Sequence, residues 1–103
     1  MKRLKDYQGR DVRLTDERRQ HILEHPEMAN LEAALEETLR QPQFVIGSLT
    51  DLAAELSYRF YHRTKVGGKW LCVVVKYAVN DAFVVTAYLT DKLKKGKQVW
   101  PRK

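Results

Sequence analysis

Apolar and polar side chains are patterned most clearly between Lys69 and Thr90, where two runs rich in Val, Tyr, Phe, Thr and Trp flank a polar break at Asn80-Asp81. These residue types suit a pleated, half-buried surface. Asn and Asp tolerate the backbone angles of tight turns. The pattern therefore predicts a β-hairpin around which the rest of the chain is organised.

Two further strands are predicted before this hairpin, at Gln43–Leu49 and Leu56–Arg63. The Gly67-Gly68 pair predicts a two-residue turn between the second of them and the hairpin. Val12 and Leu14 alternate with charged residues, which is consistent with one short edge strand.

Two helices are predicted between these strands. Thr15 suits the N-cap of the first, which should run to about His25 because Pro26 disfavours helical geometry in the residue before it. Asn30 caps the second, whose sequence LEAALEETLRQ ends before Pro42 and carries an amphipathic apolar stripe. Neither helix can bury its apolar side alone, so both require a sheet to pack on.

The predicted fold class is α+β, with two N-terminal helices packed on a four-stranded antiparallel meander and a short extra N-terminal strand as an option. The predicted domain is single and spans residues 1–103, with a core of about 12–90 and a basic C-terminal tail of 91–103. A chain of this length supports one hydrophobic core.

Strand parity predicts which side chains share a face. We place the apolar residues of each strand on the face that the helices cover, and we take Gly67-Gly68 as a two-residue turn. The opposite face of the sheet is then open. The residues expected on it are Arg59, Tyr61, Arg63, Lys76, Thr86 and Tyr88. The residues expected on the core side instead are Tyr58, Phe60 and His62.

The register of the hairpin stays open between two alternatives. An odd-length loop such as Val79–Asp81 puts Lys76 on the face of Thr86 and Tyr88. A two-residue Asn-Asp turn would place Lys76 beside Phe83 and Val85 instead, since a slip of one residue exchanges the faces.

Charge is distributed unevenly around a net value of +6. Residues 1–58 hold 8 Lys/Arg and 11 Asp/Glu, whereas residues 59–103 hold 11 Lys/Arg and 2 Asp/Glu. A basic half favours a polyanionic partner, most commonly nucleic acid. The single cysteine, with no signal-peptide pattern and no apolar run long enough to span a membrane, predicts a reduced cytoplasmic protein.

The predicted open face carries groups suited to metal-independent RNA cleavage. A base must take a proton from the 2′-hydroxyl, and fixed positive charge must stabilise the phosphorane-like transition state. Histidine is the natural proton carrier near neutral pH. The candidate catalytic residues are His21, His25, Arg59, Lys76, Thr86 and Tyr88. The candidate nucleic-acid-binding residues are Tyr61, Arg63, Lys92, Lys94, Lys95 and Lys97. The plainer alternative is a solvated sheet face with snorkelling Lys and Arg side chains.

One motif suggests a different chemistry. His21 to His25 matches H-x-x-E-H, a zinc-hydrolase signature. A catalytic zinc site needs a third ligand, and no downstream residue is an evident candidate for it. Neither a metal nor any other cofactor is therefore predicted.

Several motifs resemble those of small prokaryotic and phage domains in the nuclease superfamily that groups barnase, EndoU, colicin ribonucleases and RelE-type toxins. The motifs are RLTDERRQHILEHPEM, LEETLRQPQFVI, LSYRFYH, KWLCVVVKY and FVVTAYLTDKLKKG, and they cover about residues 12–100. The resemblance implies helices against a four-stranded antiparallel sheet. It also implies an RNA-cleaving activity, held as a toxin by an antitoxin protein or carried by a phage.

By position, the resemblance carries over His25, with His21, and also Arg59, Lys76, Thr86 and Tyr88. The sequence departs from barnase in having no obvious strand carboxylate, so a histidine is expected to act as the base. The rival expectation is a non-catalytic module on the same fold that binds nucleic acid or another protein.

Overall fold

The computed structural model describes residues 1–102, which form one mixed sheet with helices on one face. Its strands are β1 (Lys2–Lys5), β2 (Asp11–Leu14), β3 (Phe44–Gly47), β4 (Ala54–Tyr61), β5 (Lys69–Ala78), β6 (Asp81–Thr90) and β7 (Lys97–Trp100). Its helices are α1 (Asp16–Leu23), a 3-10 turn (Pro26–Met28) and α2 (Glu32–Arg40).

The sheet has seven strands in the order β1-β2-β6-β5-β4-β3-β7, so the prediction of a four-stranded sheet is wrong. Strands β3 to β6 do form an antiparallel meander. Strand β2 extends it in parallel alongside β6, and β1 and β7 form the two edges. The edge strands are four residues long and mostly charged or polar, which hides them from a search for alternating apolar residues.

The region predicted as a basic tail also departs from expectation. Residues 97–100 pair with β3 as strand β7, and residues 91–96 cross the sheet to reach that edge. We call residues 91–96 the strap. Only Lys103, the last residue of the predicted tail, lies outside the described residues.

The helices cover one face of the sheet and bury the main core there. Thr15 caps α1 as predicted, since its hydroxyl accepts a hydrogen bond from the Arg18 amide at 3.1 Å. The helix ends at Leu23, two residues before the predicted His25, and Pro26 opens the 3-10 turn. The buried residues of this core come from both helices, the 3-10 turn and four strands: Leu4, Val12, Leu14, Ile22, Met28, Leu35, Leu39, Leu71, Val73, Val75, Ala82, Val84 and Ala87.

The β5–β6 hairpin combines a two-residue turn with a bulge. Ala78 pairs with Asp81, and Asn80 takes the left-handed backbone conformation (φ 62°) that tight hairpin turns require. A register shift follows, because Val85 is inserted between the residues paired with Val74 and Val75. Lys76 therefore pairs with Phe83, yet the bulge restores the expected register beyond it. The odd-length loop, one of the two alternatives that the sequence left open, is therefore absent.

Strand β4 presents its side chains to the faces opposite to those predicted. Tyr61 pairs with Lys69, so residues 62–68 form a seven-residue loop rather than a two-residue turn. The parity of the strand is thereby reversed. Arg59 lies on the helix face, and Tyr58 and Phe60 lie on the opposite face.

The face away from the helices carries a smaller hydrophobic cluster. Its buried members are Ile46, Leu56, Tyr58 and Cys72, with Phe44, Trp70, Val74, Tyr88 and Leu93 packed around them. The strap contributes Leu93 to this cluster, and the Lys94 amide donates a hydrogen bond to the Tyr58 hydroxyl at 3.1 Å. Gly96 is required where the strap meets β3, because a Cβ there would collide with the Gly47 carbonyl oxygen.

Candidate nucleic-acid groove

A groove with a volume of about 590 Å³ lies on the sheet face opposite the helices. One wall is the loop after β3, and another is formed by the strap residues Lys94 and Lys95. Its lining mixes an apolar floor with polar groups: Ile46, Gly47, Ser48, Leu49, Thr50, Asp51, Ala54, Leu56, Val74, Val85, Thr86, Tyr88, Lys94 and Lys95. The bulge at Val85 brings that side chain to the groove.

The loop after β3 is held by its own side chains. The Ser48 hydroxyl accepts hydrogen bonds from the amides of Thr50 at 3.2 Å and Asp51 at 3.1 Å. The Ser48 amide in turn donates to the Ala54 carbonyl at 3.0 Å. This turn fixes the position of the Asp51 carboxylate at the groove wall, since hydrogen bonds from backbone amides to a side-chain hydroxyl restrain a short loop.

Lys76 contacts the groove through Asp51. Its ammonium nitrogen lies 3.1 Å from Asp51 Oδ2, while Asp51 Oδ1 accepts a hydrogen bond from the Ala53 amide at 3.0 Å. The Lys76 hydrogen bond, with the Ala53 amide second, lowers the pKa of Asp51 from its usual 3.8. The pair therefore presents an ionised carboxylate beside an ammonium group at neutral pH.

Tyr88 lines the groove with its ring, whereas its hydroxyl is buried. Within residues 1–102 that hydroxyl has no hydrogen-bond partner, and burial raises the pKa of Tyr88 well above its usual value. The Lys94 ammonium lies 5.9 Å from the Tyr88 ring centroid. The ring is thus placed for contact with a ligand in the groove, but the hydroxyl, which made Tyr88 a candidate catalytic residue, is not placed to reach such a ligand.

The thiol and hydroxyl beneath Tyr88 are also held neutral. Burial raises the pKa of Cys72 to about 11 and that of Tyr58 to about 12. Neither residue can serve as a nucleophile or base near neutral pH, because a thiolate or phenolate is required for that chemistry.

The structure does not bring the two predicted histidines to the groove. His21 lies on α1 and His25 follows it, so both belong to the helix layer on the other side of the sheet from Lys76 and Thr86. Both are exposed, with ring centroids 6.1 Å apart. The prediction that an imidazole reaches the cationic sheet face is therefore wrong.

Arg59 and Tyr61 likewise lie on the helix face and contact α2. The Arg59 guanidinium donates to the Gln41 carbonyl at 2.8 Å. The Tyr61 hydroxyl donates to Glu37 at 2.5 Å and lies 3.4 Å from the Thr38 hydroxyl. Burial and Glu37 raise the pKa of Tyr61 to about 12. These contacts fix the end of α2 to the sheet and leave neither residue in the groove.

The remaining predicted binding residues are spread over the surface. Lys94 and Lys95 line the groove, and Thr86 lies beside them. Lys92 is exposed at the start of the strap, and Lys97 begins β7. Arg63 is exposed in the loop 62–68, beside a separate cleft near Glu27. His62, expected on the core side, is exposed, with its ring 5.0 Å from that of Phe60.

Sequence reasoning missed the hydroxyl and carboxylate groups of the loop after β3. The run Ser48-Leu-Thr50-Asp51 carried the signal, because Ser, Thr and Asp clustered after a strand mark a turn held by side-chain hydrogen bonds. That loop supplies the carboxylate that the strands lacked.

Within the described part of the chain, no group of three His, Cys, Asp or Glu residues is placed to hold a metal ion. Among residues 1–102, no helix has the length and apolar character needed to cross a membrane. Comparison with known proteins returns no matching family model, no matching curated protein and no matching solved structure. The resemblance to the nuclease superfamily therefore depends on the sequence motifs alone.

Proposed function

We propose that this protein binds single-stranded RNA in the groove between the strap and the loop after β3. The observation that carries the proposal is the placement of Lys94 and Lys95 in the wall of a groove that also exposes the Tyr88 ring. Proteins that bind single strands combine cationic grooves with aromatic rings on which bases stack.

The size and chemistry of the groove support this ligand. A volume of about 590 Å³ falls in the range of small-ligand sites, which is suitable for one nucleotide unit of a longer strand. Hydroxyls from Thr50 and Thr86 line the groove beside the lysines and can donate to phosphate or sugar oxygens. The basic second half of the chain supplies long-range attraction for a polyanion.

Binding is tested by fluorescence anisotropy with a labelled RNA of about ten nucleotides over a series of salt concentrations. Each phosphate contact on a single strand contributes a slope of about −0.7 to the dependence of log K on log salt. Replacing both Lys94 and Lys95 with alanine should weaken binding and reduce the slope by about 1.4. The matched control replaces Lys2 and Lys5, which lie on edge strand β1, and should leave the slope unchanged. Equal effects of the two double variants would contradict the proposal.

RNA cleavage is a second candidate function for the same groove, favoured by the Lys76–Asp51 pair. In this reaction Asp51 would accept the proton of the 2′-hydroxyl, whose oxygen attacks phosphorus as the bond to the 5′-oxygen breaks. The leaving oxygen takes a proton from water, and a 2′,3′-cyclic phosphate remains. The lysine ammonium groups would stabilise the negative charge of the transition state. The lowered pKa of Asp51 makes it a weak base, so a slow reaction is expected.

Cleavage is tested by incubating RNA with the protein in EDTA. Products that persist in EDTA, disappear in Asp51→Asn and remain in the double variant His21→Gln/His25→Gln would support Asp51 as the base. Loss of cleavage in the histidine variant instead would restore an imidazole mechanism. Bound but intact RNA would leave binding alone as the function.

We also infer a reducing, cytoplasmic setting, supported by the single, buried Cys72 thiol.

A further inference from the structure

A second cleft lies at the β7 edge of the sheet, with a volume of about 530 Å³. The Trp100 side chain is 41% exposed there, and its ring centroid lies 5.7 Å from that of Tyr7 at an interplanar angle of 42°. The residues lining the cleft are Tyr7, Gln8, Lys97, Gln98, Val99, Trp100 and Arg102. An exposed indole beside a second ring offers a surface on which a planar group can stack.

Tyr7 is held in place from its other side. Its hydroxyl donates a hydrogen bond to Glu55 at 3.2 Å, and the Arg10 guanidinium carbon lies 5.7 Å from its ring centroid. Burial, with Glu55 second, raises the pKa of Tyr7 to about 12, so the hydroxyl stays protonated and keeps this bond. The aromatic pair is therefore supported before any ligand binds, which lowers the entropic cost of stacking against it.

The charge of the cleft favours an anionic ligand. Among residues 1–102, Lys97 and Arg102 line the cleft and no carboxylate side chain does, and within the same residues neither cation forms an ion pair. A base with its phosphate matches both features, because the base stacks on the ring while the phosphate contacts the cations.

The two clefts lie along one short stretch of chain. Lys94 and Lys95 line the groove, and Lys97 lines the Trp100 cleft. We propose that a single RNA strand occupies both, with its phosphates on the strap lysines and a base stacked on Trp100 as the strand passes the β7 edge. This inference rests on the proposed function of the groove and extends its footprint to several nucleotides.

The test uses the Trp70→Phe variant, in which Trp100 is the only tryptophan. An RNA of about twelve nucleotides should quench its fluorescence, whereas one of about three nucleotides should bind in the groove without quenching. Replacing Trp100 with alanine should weaken binding of the long RNA about 5- to 50-fold and leave the short RNA unaffected. Trp100→Phe retains a ring and should preserve most of the affinity.

The outcomes distinguish failure of the Trp100 stacking site from failure of the proposed RNA-binding function of the groove. Unchanged long-RNA affinity in Trp100→Ala, together with a loss in the Lys94/Lys95 double variant, would overturn the stacking site and retain the groove. Absence of binding by the unmodified protein at either RNA length would overturn both. If Trp100→Ala fails to fold, the quenching measurement and Trp100→Phe still decide the matter.

Discussion

The Lys76 ammonium lies 3.1 Å from the Asp51 carboxylate, which joins the middle of the sheet to the loop that walls the groove. We expect the pKa of Asp51 to rise toward its usual 3.8 in Lys76→Met, because the hydrogen bond that contributes most to its lowering is lost. Carbon-13 NMR titration of the Asp51 side chain measures this change. Lys92→Met, which removes an exposed charge of the same sign, should leave the pKa unchanged.

The same pair predicts a pH dependence of stability. A carboxyl group with a lower pKa in the folded state stabilises that state above its unfolded pKa, and the contribution disappears as pH falls through the folded value. The difference in stability between the original protein and Lys76→Met should therefore be present at pH 6 and shrink below about pH 4. Urea unfolding at a series of pH values tests this expectation. A difference that grows toward acid would contradict it.

Substitution of Tyr61 distinguishes a structural role for this residue from direct contact with nucleic acid. Its hydroxyl bonds Glu37 at the end of α2, on the face away from the groove. Tyr61→Phe should lower the free energy of unfolding by about 1 kcal/mol, the usual net value of such a bond, and leave RNA affinity unchanged. Urea unfolding and anisotropy measure the two effects. Weaker RNA binding at unchanged stability would return Tyr61 to the binding surface.

Asp6 is expected to be the most sensitive polar residue of the N-terminal hairpin. Its buried carboxylate accepts hydrogen bonds from the amides of Gln8 and Arg10, the Arg10 side chain and the Tyr77 hydroxyl, all at 2.7–2.9 Å. Asp6→Ala leaves these donors unpaired and should destabilise the fold by about 3 kcal/mol. Tyr77→Phe removes one bond and should cost about 1 kcal/mol. Equal losses in the two variants would contradict this ranking.

Cys72 should resist alkylation in the folded protein. The side chain is fully buried, and burial raises its pKa to about 11, so little thiolate is present or accessible at pH 8. Iodoacetamide should label the protein in denaturing urea and leave it almost unmodified in buffer, as mass spectrometry would show. Rapid labelling of the native protein would indicate that the strap opens readily.

The sequence predicted the central meander because β3, β5 and β6 are rich in β-branched residues and β4 contains three aromatic residues. It did not predict β1, which is short and mostly charged, or β7, which pairs with the distant strand β3. The faces of the candidate site residues were also mispredicted, because the register of strand pairing could not be deduced from the local sequence. Gly67-Gly68 predicted a two-residue turn, but the loop begins at His62, and this odd shift moved Arg59 and Tyr61 beneath α2.

The position of the helices relative to the sheet could not be deduced from parity. His21 was placed on the first helix correctly, whereas His25 lies just beyond its end. The side of the sheet that this helix covers depends on the packing of Ile22 and Leu14 in the main core. Thr86 and Lys76 were assigned to a common face correctly, although the bulge at Val85, not an odd loop, is what produces it.

The parallel pairing of β2 with β6 has a consequence for how the chain acquires its structure. Residues 11–14 can pair with β6 only when residues 81–90 are available, and the hairpin tip at Tyr7 contacts Trp100, which is still farther along the chain. Contacts so distant along the chain delay folding, because a large loop must close before they contribute. During synthesis, the β1–β2 hairpin therefore lacks its partner strand β6 until nearly the whole domain has emerged from the ribosome.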